Sequence, residues 1–151
     1  MIDDIDRIMA VMEAAFEPAF GEAWTRRQVE DALIIGNCHY LLIGPDGEMS
    51  PDGTAVGFSL SRHGFGEEEL LLFAIDPAHR KKGLGKRLLE YFADSARSRK
   101  AERLILEMRR GNPAERLYRT FGFKPIGERP KYYRTPDGNR IDAITFSYEF
   151  D

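Results

Sequence analysis

A single cysteine, Cys38, stands among 151 residues. It cannot close an internal disulfide, and cysteines at metal-ligand spacing are missing. The three histidines, His39, His63 and His79, lack the pairing pattern of a metal site or a catalytic triad. Nowhere do about 18 apolar residues run together, the length a membrane-crossing helix needs. Positive charge is not in excess either. Against 22 Lys and Arg stand 25 Asp and Glu, a net charge of −3. A general nucleic-acid binder favours a broadly basic face, which this balance does not supply. No repeat, low-complexity segment or interdomain linker interrupts the chain, so one domain spanning 1–151 is expected. Its first 16 residues are acidic and helically patterned, unlike a signal peptide. These absences predict a cytoplasmic protein with no metal and with neither a nucleic-acid nor a membrane partner. A monomer or weak dimer is expected.

What the chain does have is concentrated between Glu69 and Lys86. Residues 70–75 form an apolar run that reads as a buried strand, ended by Asp76-Pro77. Five basic residues, Arg80, Lys81, Lys82, Lys86 and Arg87, then crowd the sequence Gly83-Leu84-Gly85. A helix pattern follows at once. Positive charge at a helix start opposes the helix dipole, which is already positive there. The conflict disappears if an anion sits on the loop, because exposed N–H groups at a helix N-terminus accept phosphate. Two familiar phosphate loops fail on inspection. A dinucleotide fingerprint needs a third glycine where Leu88 stands, and a Walker loop needs a hydroxyl residue where Arg87 stands.

Along the rest of the chain, Ile5, Ile8, Met9, Met12 and Phe16 recur at helical spacing. Thr25 with Gln28 three residues on predicts a capping box for a second helix over 26–34. Strands are predicted at 39–43, 54–61, 70–75, 103–108, 123–128 and 141–150. Asn112-Pro113 predicts the start of a short helix ending near Gly122. The order is ααβββαβαββ, an α/β (α+β) chain with a mixed sheet and helices on its faces.

Arg80-Lys81-Lys82-Gly83-Leu84-Gly85 matches the Arg/Gln-x-x-Gly-x-Gly/Ala motif of the GNAT acetyltransferases. The match continues through residues 104–109, Asn112, Leu117-Tyr118 and Phe121-Gly122-Phe123. On these residues the chain resembles the GNAT family over most of its length. Leu106-Glu107-Met108-Arg109, Tyr132-Tyr133 and Asp142-Ala143-Ile144 are most similar to the branch that acetylates ribosomal proteins at an N-terminal alanine. The resemblance implies a GNAT fold with a central, mostly antiparallel sheet, and acetyl-CoA as cosubstrate. It also implies direct transfer of acetyl to the N-terminal peptide of a ribosomal protein. Two alternatives stay open: transfer to a small amine such as a polyamine, amino acid or aminoglycoside, and a non-catalytic acyl-CoA-binding module.

The same resemblance implies roles for individual residues. The backbone of Lys81, Lys82, Gly83, Leu84, Gly85 and Lys86 would bind the pyrophosphate, with Arg80 holding the loop's shape. Phe73, Ala74 and Ile75 would lie along the pantetheine arm and polarise the thioester carbonyl. Glu107 would be the general base and Tyr118 the acid that reprotonates the thiolate. From spacing alone, Glu107 reads equally as an exposed strand-end glutamate, and Tyr118 as a core aromatic. Asn112 matches a position that touches CoA. Only five residues separate it from Tyr118, one fewer than the family has, so Gly111 competes for that alignment. Tyr132 and Tyr133 would line the acceptor site. Glu69, with Glu67 and Glu68, would attract a basic peptide, or form a solvated acidic face. Cys38 is expected as a buried small apolar residue, and His63 and His79 as surface or loop residues.

Overall fold

The computed structural model describes residues 3–51 and 53–150. Helix α1 (Asp4–Ala15) begins with a reciprocal capping box between Asp3 and Asp6. Helix α2 (Arg26–Ile35) begins with the Thr25–Gln28 box that its sequence predicts. Strands β1 (Cys38–Ile43), β2 (Gly57–Gly64) and β3 (Glu67–Ile75) follow as an antiparallel meander. Helix α3 (Leu84–Ser98) crosses over to β4 (Arg103–Arg109), which lies parallel to β3. The short helix α4 (Glu115–Phe121) leads to a final hairpin of β5 (Lys124–Arg134) and β6 (Arg140–Glu149). The sheet order is β1-β2-β3-β4-β6-β5, and every pairing except β3–β4 is antiparallel. The mixed, mostly antiparallel sheet flanked by helices is the fold expected. None of the described helices is long and apolar enough to cross a membrane.

The helices cover both faces of the sheet. Ile8, Val11, Met12 and Val29 of α1 and α2 pack on Leu42, Phe58, Leu60, Leu72 and Ala74. On the opposite face Leu89, Phe92, Ala93 and Ala96 of α3 pack on Leu70, Leu104, Leu106 and Phe146. Leu70 and Leu72 are two residues apart, a spacing that normally puts side chains on one face. Here they lie on opposite faces. A bulge explains it: Leu60 pairs with Leu72 and Ser61 with Leu70, which leaves Leu71 without an opposite number.

The bulge has a second consequence. β3 pairs with β4 only from Glu67 to Leu70, against Arg103 to Leu106. A bulge bends its strand and increases the local twist. Just past Leu70 the two strands part, and the β3 edge from Leu71 onward is left without a strand on its β4 side.

Several sequence expectations shift. The final hairpin is longer than predicted, and Tyr132-Tyr133 lie within β5 rather than in the connection between the last two strands. Asn112-Pro113 starts a turn, not the helix: the Asn112 side chain accepts from the Ala114 N–H (2.9 Å), and α4 begins at Glu115. Cys38 is half-buried at the start of β1, not fully enclosed. The acidic run 67–69 is not solvated throughout: Glu67 and Glu69 are partly exposed, Glu68 is not. Glu68 is completely buried and accepts hydrogen bonds from Ser61 and from Arg99 (2.7 Å), with the His63 ring 3.0 Å away. His63 is therefore a partly covered strand residue. Burial pushes the Glu68 carboxyl up, but the Arg99 and Ser61 contacts outweigh it and hold it below the ordinary carboxylate value.

Candidate active site

Two clefts open where β3 and β4 part. The larger, of about 700 Å³, runs between the 79–85 segment and α4. The smaller, of about 210 Å³, lies between the second half of β3 and Glu107 and Met108 of β4. Both are lined by Phe16, Glu22, Phe73, Asn112 and Tyr118, so they form two arms of one site with Tyr118 at the junction.

The larger arm has backbone N–H groups at its loop end, with Glu17 and Glu22 also in its lining. Lys81 and Gly83 both adopt left-handed backbone, with φ of 64° and 79°. Left-handed residues in such a turn gather successive N–H groups into one concavity. Gly83 caps α3 without any side-chain hydrogen bond, and no acidic residue occupies the first turn. The first N–H groups of a helix have no intrahelical acceptor, so those of Leu84, Gly85 and Lys86 remain to be satisfied. Arg80 lines the arm but is held by the backbone around it. Its Nε donates to the Ile75 carbonyl (3.2 Å) and its Nη2 to the Ala15 carbonyl (3.3 Å), tying the loop to β3 and α1. Arg87, one of the five basic residues counted in the sequence, is turned away onto Glu48 and Tyr91. His79 is not a plain surface residue. It lines this arm, and its Nδ1 is buried with no partner among the described residues. An orphaned polar atom at a cleft is the signature of a group that a ligand satisfies.

The smaller arm holds Glu107 and shares Glu22 with the larger. Glu107 lies on the face of β4 opposite Leu106 and Met108, which turn toward α3. Its carboxylate accepts from the Thr145 hydroxyl (3.1 Å) and lies 3.5 Å from Arg129 Nε. Tyr133 lines the same arm. Burial first, then the Glu107 and Glu22 carboxylates, push its phenol up to about 12. Tyr118 is buried between Phe73 and Phe123, at ring distances of 6.0 and 5.9 Å. Its hydroxyl makes no hydrogen bond among the described residues. Burial, and after it the Glu22 carboxylate, push that phenol well above its ordinary value.

The larger arm thus gathers Phe73, Ala74, Ile75, Arg80, Lys81, Gly83, Leu84, Gly85, Asn112 and Tyr118. The smaller arm gathers Glu107 and Tyr133 with Tyr118. Lys82, Lys86, Glu69 and Tyr132 line neither arm. Glu69 is paired with Arg62 (2.7 Å), and Tyr132 is half-exposed on β5 beneath Arg129. Sequence reasoning missed Glu22 and gave Arg109 no role. Arg109 Nε donates to Glu22 (3.2 Å), and its guanidinium stacks on the Phe20 ring at 3.6 Å. That clamp brings the segment between α1 and α2 onto β4. A glutamate 87 residues from its partner carries no local signal that could have announced it.

Comparison with known proteins agrees with this geometry. The [ribosomal protein bS18]-alanine N-acetyltransferase of Escherichia coli (strain K12) is 36% identical over 98 residues, 64% of this chain and 66% of that protein. The enzyme of the same name from Haemophilus influenzae is 32% identical over 92 residues, 61% of this chain and 63% of that protein. The chain thus spans just under two thirds of these relatives' length. In three dimensions the crystal structure of the ribosomal-protein-S18-alanine N-acetyltransferase from Escherichia coli superposes with a TM-score of 0.80 at 27% identity. That superposition covers 97% of this chain and 87% of the other. Residues 5–123, which hold the loop, the bulged strand, Glu107 and Tyr118, match the family model of the acetyltransferase (GNAT) family, and the chain belongs to that family.

Proposed function

We propose that this chain is an acetyl-CoA-dependent N-acetyltransferase whose acceptor is the N-terminal amine, an alanine, of a ribosomal protein. One observation carries the reading. A carboxylate, Glu107, lines the smaller arm, and a buried phenol with no hydrogen-bond partner among the described residues, Tyr118, lies where that arm joins the larger one. Acetyl-CoA would supply the acetyl group as a thioester. The 81–86 backbone would hold its pyrophosphate, as uncapped helix N–H groups do. The free edge of β3 at Phe73, Ala74 and Ile75 would receive the pantetheine arm and aim an N–H at the carbonyl where negative charge develops.

Glu107, oriented by Thr145, would take the proton of the attacking amine, directly or through a water. Tyr118 would give its proton to the departing thiolate. Its raised affinity for that proton keeps it in the donor state at neutral pH. The thiolate would leave beside it among Phe73 and the other apolar lining residues, which raises its own demand for a proton. The smaller arm favours an amine. Glu22 and Glu107 line it, and the charge of Glu69 reaches Tyr133 from outside it. An α-amine, of pKa about 7.7–8.0, is neutral far more often near pH 7 than a lysine at about 10.4, and suits a modest carboxylate base. A ribosomal-protein acceptor makes this a cytoplasmic activity.

The test is acetyl transfer by purified protein to a peptide beginning with alanine, against polyamines, amino acids and aminoglycosides. Transfer to the peptide terminus, read by intact mass, is expected. Brisk transfer to a small amine with none to the peptide would sink the acceptor assignment.

A further inference from the structure

The wall facing the anion-receptive loop carries a cation with nothing to do. Arg116 and Thr120 lie four residues apart on α4, the spacing that puts two side chains on one face, and both line the larger arm. Lys81 belongs to the loop itself, and the other arginines around this arm are committed. Arg80 is spent on two carbonyls, Arg109 on Glu22 and Phe20, and Arg87 on Glu48 and Tyr91. The neighbouring acid, Glu115, is taken by Arg119 at 2.7 Å. Arg116 is left exposed, with no ion-pair or hydrogen-bond partner among the described residues.

The loop and the α4 wall offer different chemistry. The loop presents backbone N–H groups, which suit a pyrophosphate that must lie close against the chain. Arg116 presents a planar fork on a flexible stem, which suits the terminal oxygens of a phosphate monoester. A hydroxyl beside it, Thr120, adds a donor to the same face. The donor assigned above carries both groups: a pyrophosphate, and a 3′-phosphate on its ribose.

We infer that Arg116 reads the 3′-phosphate of the donor nucleotide across the cleft from the 81–86 loop, and so makes the site prefer coenzyme A to its dephosphorylated form. The inference rests on the donor reading given above. Its test is calorimetric titration of CoA and of dephospho-CoA, which lacks only the 3′-phosphate, into wild-type protein, Arg116→Gln and Arg116→Lys. Wild type binds CoA about tenfold or more tightly than dephospho-CoA, the weight of one charge-assisted contact. Arg116→Gln weakens CoA to the level of dephospho-CoA and leaves dephospho-CoA unchanged, while Arg116→Lys restores part of the preference. Equal weakening of both ligands, or an undiminished preference in Arg116→Gln, overturns the role of Arg116. A wild-type protein that binds neither ligand overturns the donor reading instead. Arg116 is exposed and unpaired, so the melting temperature of the variant stays at the wild-type value.

Discussion

Replacing Tyr118 with phenylalanine separates chemistry from architecture more cleanly than any other change at this site. The ring is buried and makes edge-on contacts with Phe73 and Phe123, which a phenylalanine keeps. The hydroxyl has no hydrogen-bond partner among the described residues, so its removal breaks no internal bond. A hydroxyl that opens on the cleft without an internal partner adds little to stability, and Tyr118→Phe should shift it by less than about 1 kcal/mol. For a chain of this size that is a change in Tm below about 4 °C. The kinetic cost is of another order. Losing a positioned general acid lowers the rate by about 10²–10⁴, or about 3–5 kcal/mol on the barrier. Thiol release at saturating acetyl-CoA and peptide measures kcat, and a melting curve of the same sample measures stability. A kcat within about threefold of wild type would refute the proton-donor role. A Tm lowered by much more than about 4 °C would show that the hydroxyl has a structural partner after all.

Glu107→Gln keeps the Thr145 hydrogen bond acceptor in place and removes only the base. Its kcat should fall by about 10² or more while CoA affinity by titration is unchanged. Gly85 sits where a Cβ would come within 3.1 Å of Leu117 on the opposite wall. Gly85→Val should therefore narrow the larger arm and weaken CoA binding by about tenfold or more in the same titration, with full affinity refuting the loop's role. Glu68 lies outside both arms, and its loss should be a matter of stability. Glu68→Gln leaves Arg99 without its counter-charge and should cost about 2–4 kcal/mol, less than for a fully enclosed pair because Arg99 is partly exposed. Because the folded Glu68 carboxyl is held below its ordinary value, its contribution is complete above about pH 4.3 and fades as pH falls through the folded value. Acid unfolding curves should thus converge for wild type and Glu68→Gln at low pH and diverge above about pH 5.

Local signals in the chain were reliable wherever a few neighbouring residues decide the outcome. The Thr25–Gln28 box starts α2, and the glycine-bearing loop starts α3. Glu107 was legible only as an acid on one face of a strand; that it meets Tyr118 at one junction depends on where β3 and α4 lie. The bulge at Leu71 had no signal, because an apolar run such as Leu70-Leu71-Leu72 reads alike whether or not one residue is skipped. Glu68 looked like part of a solvated run, since its partners Ser61, His63 and Arg99 come from another strand and a helix end. Glu22 and Arg116 acquire meaning only from what stands across the cleft.

The opening between β3 and β4 and the polarity of the site follow from one skipped residue. With continuous pairing, β3 and β4 would close into an unbroken sheet, and neither arm would exist. The bulge at Leu71 parts them just where Phe73 on one side and Glu107 on the other can face the same space. It also turns Leu72 and Ala74 toward α1, so the departing strand stays anchored in a packed core. The α3 N-terminus and Lys81 place positive potential at the loop of the larger arm, Glu107 places negative charge in the smaller arm, and Glu22 lines both. On the proposed reading, the loop end would favour the phosphate-bearing donor and the Glu107 end the amine. Tyr118, uncharged between them, disturbs neither field, and its burial keeps it so.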